Sequence, residues 1–288
     1  MTLTIAHVPT LRDVVGRCYV IAFREDVTRL VEALSVERLN PEVLRATYTS
    51  REMAYARATR CLLSHHAAWR LAARNDGYTL VCEADFVPCL GMGGFPAFWP
   101  LDDHHAWGYL YQGSPRLLAL VGPRPYLRGH CAPLVAYVIN SAVARVLCDF
   151  FDEQMARHDP AKYFPFDAYL QWWLMAHGCS AYIPHRHYGE HGGQPNPEHR
   201  AFGIRRAGRH RADNLAARLH FLPQYSRGSW LRFGAVRAQA RMLGLARLAT
   251  NRWIVDTDAY RNDPLTKLRM LGIGLGRLIG CSRADREA

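Results

Sequence analysis

Residues 78–85 read Tyr-Thr-Leu-Val-Cys-Glu-Ala-Asp, and the architecture follows from this segment. Its first five residues are mostly strand formers, which is the pattern of a short buried strand. Glu83 and Asp85 come directly after them, so we predict two acids at the carboxyl end of a strand. Open α/β sheets bind their ligands at this end, because the loops that leave the strands diverge there and form a crevice.

Strand and helix patterns alternate on both sides of this segment, which is typical of an α/β fold with a largely parallel sheet. Thr49 and Glu52 have the spacing of a capping box, and the helix that they begin is predicted to run to about Arg74. The other strand patterns lie at residues 18–22, 117–121, 134–139 and 181–183, and the other helical patterns at 27–34, 141–158 and 168–177.

Composition excludes several classes of protein. Of the 288 residues 49% are hydrophobic and 21% are charged, which excludes general disorder, a collagen and a coiled-coil rod. The eight cysteines include no Cys-x-x-Cys pair, as expected of reduced thiols that pack in a core. The chain has no long apolar run and its first residues lack the pattern of a signal peptide, so we expect a cytoplasmic protein.

The positive charge is concentrated in the last third of the chain. Residues 1–199 contain 18 Lys and Arg against 19 Asp and Glu, whereas residues 200–288 contain 18 against 6, so these parts carry net charges of −1 and +12. Basic amphipathic helices are predicted at 215–222, 230–249 and 265–279. We therefore predict a catalytic domain over 1–200 and a basic helical appendage over 201–288.

The appendage has two interpretations that the sequence leaves open. Basic amphipathic helices bind anionic membrane surfaces, which would make the protein peripheral on the inner membrane face. The alternative is a solvated basic surface whose apolar stripe packs on the catalytic domain. Nucleic acid is not the expected partner, because the tail has no groove-reading or base-reading motif and its arginines are spaced through apolar residues.

The two acids suggest a chemistry for the crevice. A carboxylate-x-carboxylate pair can hold a divalent cation whose remaining ligands are the oxygens of a diphosphate, because hard metals prefer oxygen ligands. The alternative is that Glu83 and Asp85 are two solvated acids in a loop. The tripeptide by itself does not separate these possibilities.

The order of several motifs resembles glycosyltransferase family 25, a family of bacterial lipopolysaccharide enzymes. In that family a Ser-His-x-x-x-Trp helix precedes a hydrophobic strand that ends in an acidic motif, as Ser64–Trp69 precedes Glu83–Asp85 here. Three further segments resemble the family's opening strand, its later Ala-Tyr-Leu-Ile strand and its Pro-Val-Asp motif: Val20–Phe23 with Arg29, Ala136–Ile139 and Pro165–Asp167.

The resemblance implies a GT-A type fold and a metal-dependent hexosyltransferase with inversion at the anomeric carbon. It implies a UDP-sugar donor, with galactose as the expected sugar, and a lipopolysaccharide, lipooligosaccharide or related glycan or glycolipid acceptor. Mn²⁺ or Mg²⁺ is the implied cofactor. The residues to which these roles fall are Asp85 and His191 as metal ligands, Phe23, Arg29, Ser64 and His65 as nucleotide-sugar contacts, and Asp167 as general base with Glu83 as a second catalytic residue.

Four of these residues have other interpretations. Glu83 could also be a second metal ligand or contact the sugar hydroxyls. Asp167 could cap the helix that follows it, which would lower its pKa. His65 could be a packed core residue or support the acidic loop, and His191 could be an ordinary surface histidine.

The sequence also departs from the family pattern. Ala22 and Arg24 stand where the family usually has Asn and Asp, and Ala84 replaces its middle acid. The alternative function is therefore a non-catalytic basic binding protein, for a membrane surface or nucleic acid, with a degenerate glycosyltransferase-like domain.

Overall fold

The computed structural model describes residues 8–122, 126–131, 134–194, 198 and 211–279. The predicted domain boundary at residues 200 and 201 lies outside these ranges, as does Cys281. The other seven cysteines are free thiols, as the sequence predicts. Among the described residues no helix is both long enough and apolar enough to cross a bilayer.

The helices are α1 Leu11–Val14, α2 Thr28–Val36, α3 Ser50–Met53, α4 Arg57–Ala72, α5 Ser141–Arg157, α6 Phe166–Ala176, α7 Trp230–Ala249 and α8 Pro264–Ile279. The strands are β1 Val15–Ala22, β2 Pro41–Arg45, β3 Tyr78–Glu83, β4 Phe86–Pro88, β5 Ala106–Tyr109, β6 Arg116–Val121, β7 Tyr126–His130, β8 Ala136–Asn140, β9 Ser180–Ile183 and β10 Gly189–His191.

Eight strands form one sheet in the order β2-β1-β3-β8-β5-β9-β7-β6, and β4 with β10 forms a second, two-stranded sheet. The strands β2, β1 and β3 are parallel neighbours, and β5 is parallel to β9. Strand β8 pairs antiparallel with β3 and β5, and β7 pairs antiparallel with β9 and β6. The fold is therefore mixed α/β, and the expectation of a largely parallel sheet holds only for its two parallel groups.

The large sheet separates two hydrophobic clusters. Successive residues of β1 point to opposite faces, so Tyr19 and Ile21 join one cluster whereas Val20 joins the other. The first cluster lies under α4 and α5 and includes Trp69 and Phe150, which are both fully buried. Burial on both faces explains why β3 reads as a continuous apolar run rather than as an alternating one.

Two helical predictions differ from the structure. The capping box of Thr49 and Glu52 is present, but α3 ends at Met53 and α4 begins only at Arg57. The predicted helix over 215–222 is wrong, because this segment uses its backbone groups to bond the α/β body. Ala216 N–H donates to His187 O (2.9 Å) and His220 N–H donates to Pro88 O (3.0 Å).

The C-terminal helices are attached to this body by a buried polar network. Arg277 of α8 is 1% exposed, and its guanidinium donates to Asp213 Oδ1 at 2.7 Å and Asn214 Oδ1 at 3.1 Å. His187 approaches the same Asp213 oxygen at 2.7 Å. Burial lowers the pKa of His187 to about 4, although Asp213 opposes this shift, so the imidazole is neutral at physiological pH.

Candidate active site

A cleft of about 430 Å³ opens where the parallel strands β1 and β3 end. Strand β1 ends at Ala22 and β3 ends at Glu83. The crevice therefore lies at the carboxyl ends of these strands, which is the edge of the sheet where the sequence predicts it. Its size lies in the range of small-ligand sites. The lining residues come from the loop after β1, the α3–α4 region and the acidic turn after β3: Ile21, Ala22, Phe23, Arg24, Glu25, Tyr48, Met53, Arg57, Arg60, Cys61, Ser64, Glu83, Ala84 and Asp85.

Three arginines make one side of the cleft basic. Arg57 and Arg60 lie on the first turns of α4, and Arg24 lies in the loop after β1. The Arg24 guanidinium also lies 4.7 Å from the centre of the Phe23 ring. Guanidinium groups bind phosphate oxygens in bidentate fashion, so this wall suits a diphosphate. Sequence reasoning missed all three arginines.

Aromatic rings form a second part of the wall. The ring centres of Phe23 and Tyr48 lie 4.9 Å apart. A planar base in the cleft could pack against this pair of rings. The Tyr48 hydroxyl and the Ser64 hydroxyl share a hydrogen bond of 2.7 Å. The structure therefore brings two of the predicted nucleotide contacts, Phe23 and Ser64, to the cleft, together with Tyr48, which the sequence did not indicate.

Two other predicted nucleotide contacts do not line the cleft. Arg29 lies over the ring of Phe221 at 4.8 Å and is not among the lining residues. His65 is 0% exposed, as its alternative interpretation expects of a packed residue. His65 follows Ser64 directly on α4, and successive residues of a helix point in different directions. The Ser64 hydroxyl therefore faces the cleft, whereas the His65 imidazole faces the core.

His65 supports Glu83 through a chain of hydrogen bonds. Trp69 Nε1–H donates to the Tyr137 hydroxyl at 2.6 Å, and that hydroxyl lies 2.9 Å from His65 Nδ1. If Tyr137 donates its single proton to Nδ1, then Nε2 carries the imidazole proton and donates it to Glu83 Oε1 at 3.1 Å. The chain fixes the Glu83 carboxylate at the end of β3.

Asp85 and His191 meet although 106 residues separate them in the sequence. The cause is the second sheet, in which His191 of β10 pairs with Phe86 of β4. The backbone closes the junction, because Gly192 N–H donates to Asp85 O at 2.7 Å. The His191 imidazole then donates from Nε2 to Asp85 Oδ2 at 3.0 Å, beside the cleft that Asp85 lines.

Asp85 and His191 shift each other's pKa. Burial raises the pKa of Asp85, but the charge and hydrogen bond of His191 outweigh burial, so the net shift of this pKa is downward. Burial lowers the pKa of His191, but the charge and hydrogen bond of Asp85 and the charge of Glu83 together outweigh burial, so the net shift of this pKa is upward. Arg211 holds the histidine segment by donating to His191 O at 3.0 Å and Gly193 O at 3.1 Å.

The residues around Asp85 fit a divalent cation. Asp85 Oδ1 is buried and has no hydrogen-bond partner among the described residues, which leaves one carboxylate oxygen for a ligand. A Cβ atom at Gly193 would lie 2.0 Å from Asp85 Oδ2, so only glycine leaves this side of the carboxylate open. Once His191 Nε2 releases its proton, this nitrogen and the unpartnered carboxylate oxygen form a donor set that Mn²⁺ accepts, with diphosphate oxygens to complete it.

A second group with metal-ligating atoms lies deeper in the same region. Ligand atoms of Cys61, His65 and Glu83 lie within 4.8 Å of one another. Burial raises the pKa of Cys61 well above its usual range, and the negative charge of Glu83 raises it further. Because the thiolate and not the thiol is the metal ligand, this group is better suited to positioning Glu83 than to holding an ion.

Asp167 lies in the first turn of α6, next to the same group. The ring of the preceding residue, Phe166, lies 6.0 Å from the His65 ring. Pro165 is the N-cap of α6, so Asp167 is not the capping residue. Burial and then the negative charge of Glu83 raise the pKa of Asp167 to about 6, although backbone N–H groups oppose the shift. The lowered pKa that a capping role would give is thus not found.

Comparisons with known proteins give a weak structural likeness. No family model matches the chain, and no curated protein matches it. Among solved structures, the crystal structure of a glycosyltransferase involved in the glycosylation of the major capsid of PBCV-1 is similar with a TM-score of 0.34 and 9% identity, over 55% of this chain and 74% of that chain. A TM-score of this size does not define a shared fold.

Proposed function

We propose that the chain is a metal-dependent glycosyltransferase with a GT-A type fold, which moves a hexosyl unit from a UDP-sugar to a hydroxyl group of a glycan acceptor. The observation that carries the proposal is the meeting of Asp85 and His191 beside a cleft lined by arginines, with one Asp85 oxygen left without a partner. A donor diphosphate supplies the oxygens and the negative charge that this arrangement lacks.

Donor binding follows from the walls of the cleft. Phe23 and Tyr48 offer aromatic surface to the base, and Arg24, Arg57 and Arg60 offer guanidinium groups to the diphosphate. Asp85 and His191 would hold Mn²⁺ or Mg²⁺. When it is bound, the cation neutralises the charge that develops on the departing diphosphate.

Transfer with inversion requires one base and no enzyme nucleophile. The acceptor oxygen forms a bond to the anomeric carbon, the bond from that carbon to the diphosphate oxygen breaks, and the hydroxyl proton of the acceptor passes to the Asp167 carboxylate. A pKa of about 6 suits this role, because the group is ionised at neutral pH and is still basic enough to take a proton. Glu83, fixed by His65, contributes the negative charge that keeps this pKa raised.

The finer parts of the proposal are supported by the motif resemblance alone. Galactose as the sugar, UDP as the nucleotide and a lipopolysaccharide or lipooligosaccharide acceptor are what family 25 would supply. The expected setting is cytoplasmic, where nucleotide sugars are available. Departures from the motifs do not remove the proposed ligands, because Ala84 leaves both Glu83 and Asp85 in place.

One observation favours a second candidate function. Asp85 Oδ2 already has a partner in His191, and an ion pair of this kind could simply clasp the two-stranded sheet to the acidic turn. The cleft would then bind a nucleotide or another anion without turnover, as in the non-catalytic binding protein that the sequence leaves open.

Thermal-shift titration with UDP, Mn²⁺ and both together separates the candidates. The transferase is expected to show synergy, because each ligand completes the site of the other, and Asp85→Asn is expected to abolish the synergy. The matched control is Asp76→Asn, which changes an exposed acid outside the cleft. A panel of labelled nucleotide sugars, with slow hydrolysis as the readout, then identifies the donor. Equal stabilisation by UDP with and without Mn²⁺, together with no hydrolysis, would support the clasp instead.

A further inference from the structure

Two apolar stripes run along the outer faces of α7 and α8. On α7 the stripe contains Leu231, Ala235, Ala238, Met242, Leu245 and Ala249, spaced by three and four residues. On α8 the same spacing relates Leu265, Leu268, Gly272, Leu275 and Ile279. Leu231 is 89% exposed, Met242 70% and Leu265 74%, so these side chains face solvent.

The stripes are not the surfaces by which the helices pack on the protein. The buried residues of α7 are Ala240 and Gly244, on the opposite side of the helix from Leu231 and Met242. The two helices are antiparallel and approach closely, since a Cβ atom at Gly274 of α8 would lie 2.7 Å from Leu248 Cδ1 of α7. The two helices therefore pack through other residues than those of the stripes. Because the stripes are not used for packing and are exposed, they indicate an interaction surface.

Charge determines what kind of partner this surface fits. Together α7 and α8 contain seven basic residues and no acidic residue. Arg232 and Arg269 are exposed, and each lies beside the stripe of its own helix. Trp230, at the start of α7, is 69% exposed. An apolar stripe flanked by arginines and a tryptophan is the composition of helices that lie in a membrane interface.

We propose that the outer faces of α7 and α8 dock on a bilayer that contains anionic lipids, with the helices lying in the plane of the interface. A second copy of the chain is a poorer occupant, because pairing these faces would bring the arginines of both copies together without an acidic partner on either helix. The proposal does not depend on the function of the cleft.

Flotation of the full chain with vesicles tests the docking. Binding to phosphatidylcholine vesicles that contain phosphatidylglycerol is expected, with weak binding to phosphatidylcholine alone and loss of binding at high salt. Leu231→Gln combined with Met242→Gln is expected to weaken binding by roughly tenfold or more, because two exposed side chains no longer enter the apolar layer. The matched control is Val36→Gln, which changes a side chain that is 72% exposed on α2.

The arginines are tested separately. Arg232→Gln and Arg269→Gln are each expected to weaken binding about fivefold on anionic vesicles, whereas exposed Arg74→Gln leaves it unchanged. UDP titration of every variant shows whether the cleft and the fold are intact. Undiminished vesicle binding by the Leu231 and Met242 variant would overturn the proposal, as would a concentration-dependent dimer in sedimentation that this variant abolishes.

Discussion

Replacement of Asp167 by Asn should separate catalysis from stability. Asn has nearly the same shape as Asp but does not ionise, so the change removes the proposed base and also removes the cost of charging a buried carboxylate. The structure raises the pKa of Asp167 from 3.8 to about 6 because the group is buried and lies near Glu83. We therefore expect the variant to lose activity and to gain stability at neutral pH.

The size of the stability effect follows from the shift of this pKa. Between about pH 4 and about pH 6 the unfolded chain has released the Asp167 proton while the folded chain keeps it, so the free energy of unfolding falls as the pH rises. A shift of about two units at 1.36 kcal/mol each makes the full cost at most about 3 kcal/mol, reached above about pH 6. The Asn variant avoids this cost.

Urea unfolding of both proteins at about pH 5 and about pH 8 measures the difference, with Asp149→Asn as an exposed control on α5. The free energy of unfolding of the Asn variant should exceed that of the parent by more at the higher pH. The free energy of unfolding of the control should differ from that of the parent by the same amount at both pH values. Turnover of the donor should fall by about 10²- to 10⁴-fold, and the parent's turnover should rise with pH through about 6. Full turnover by the variant, or a stability difference that does not grow with pH, would refute the reasoning about Asp167.

Three further changes probe other parts of the structure. Gly193→Ala puts a Cβ atom 2.0 Å from Asp85 Oδ2, so Mn²⁺-dependent UDP binding should be lost in calorimetry while metal-free binding stays. Arg60→Gln should weaken UDP binding by about 10-fold, as expected for one charged contact, whereas Arg29→Gln should not, since Arg60 lines the cleft and Arg29 does not. Arg277→Met leaves the buried Asp213 carboxylate with neutral His187 but without its guanidinium partner, and should lower the free energy of unfolding by about 3–5 kcal/mol in urea titration; an unchanged midpoint would contradict that account.

The fold was predictable where local pattern and tertiary burial agree. The strand at Tyr78 was read correctly because its apolar run is buried on both faces, and the helix over Trp230–Ala249 because its amphipathic period is continuous. The segment 215–222 has a similar apolar spacing but lies along the edge of the body, where bonds to His187 and Pro88 replace helical ones. No local signal distinguishes the two outcomes, since the partner strands are far away in the sequence.

The carboxylates of the candidate site could be predicted from the sequence, whereas its arginines could not. Asp85 and His191 could be named from the motif order and a glycine-flanked loop, and the structure brings them together. Arg57 and Arg60 could not be assigned to the cleft from the sequence, because the capping box at Thr49 predicts one continuous helix, whereas α3 ends at Met53 and α4 begins at Arg57. Arg29 shows the opposite case, in which a helical arginine expected at the nucleotide packs on Phe221 from the C-terminal part.

Glu83 and Asp85 have different partners, which explains how the turn after β3 can lack the third acid that Ala84 replaces. Glu83 points toward α4, where it meets His65 and Cys61, whereas Asp85 points toward β10 and meets His191. Ala84 lies between them and packs against the second hydrophobic cluster. Ala84 also lines the cleft, but Glu83 and Asp85 keep their partners without a third carboxylate between them. Alanine at residue 84 is therefore compatible with a working transferase, because Asp85 remains for the cation while Glu83 helps to raise the pKa of Asp167.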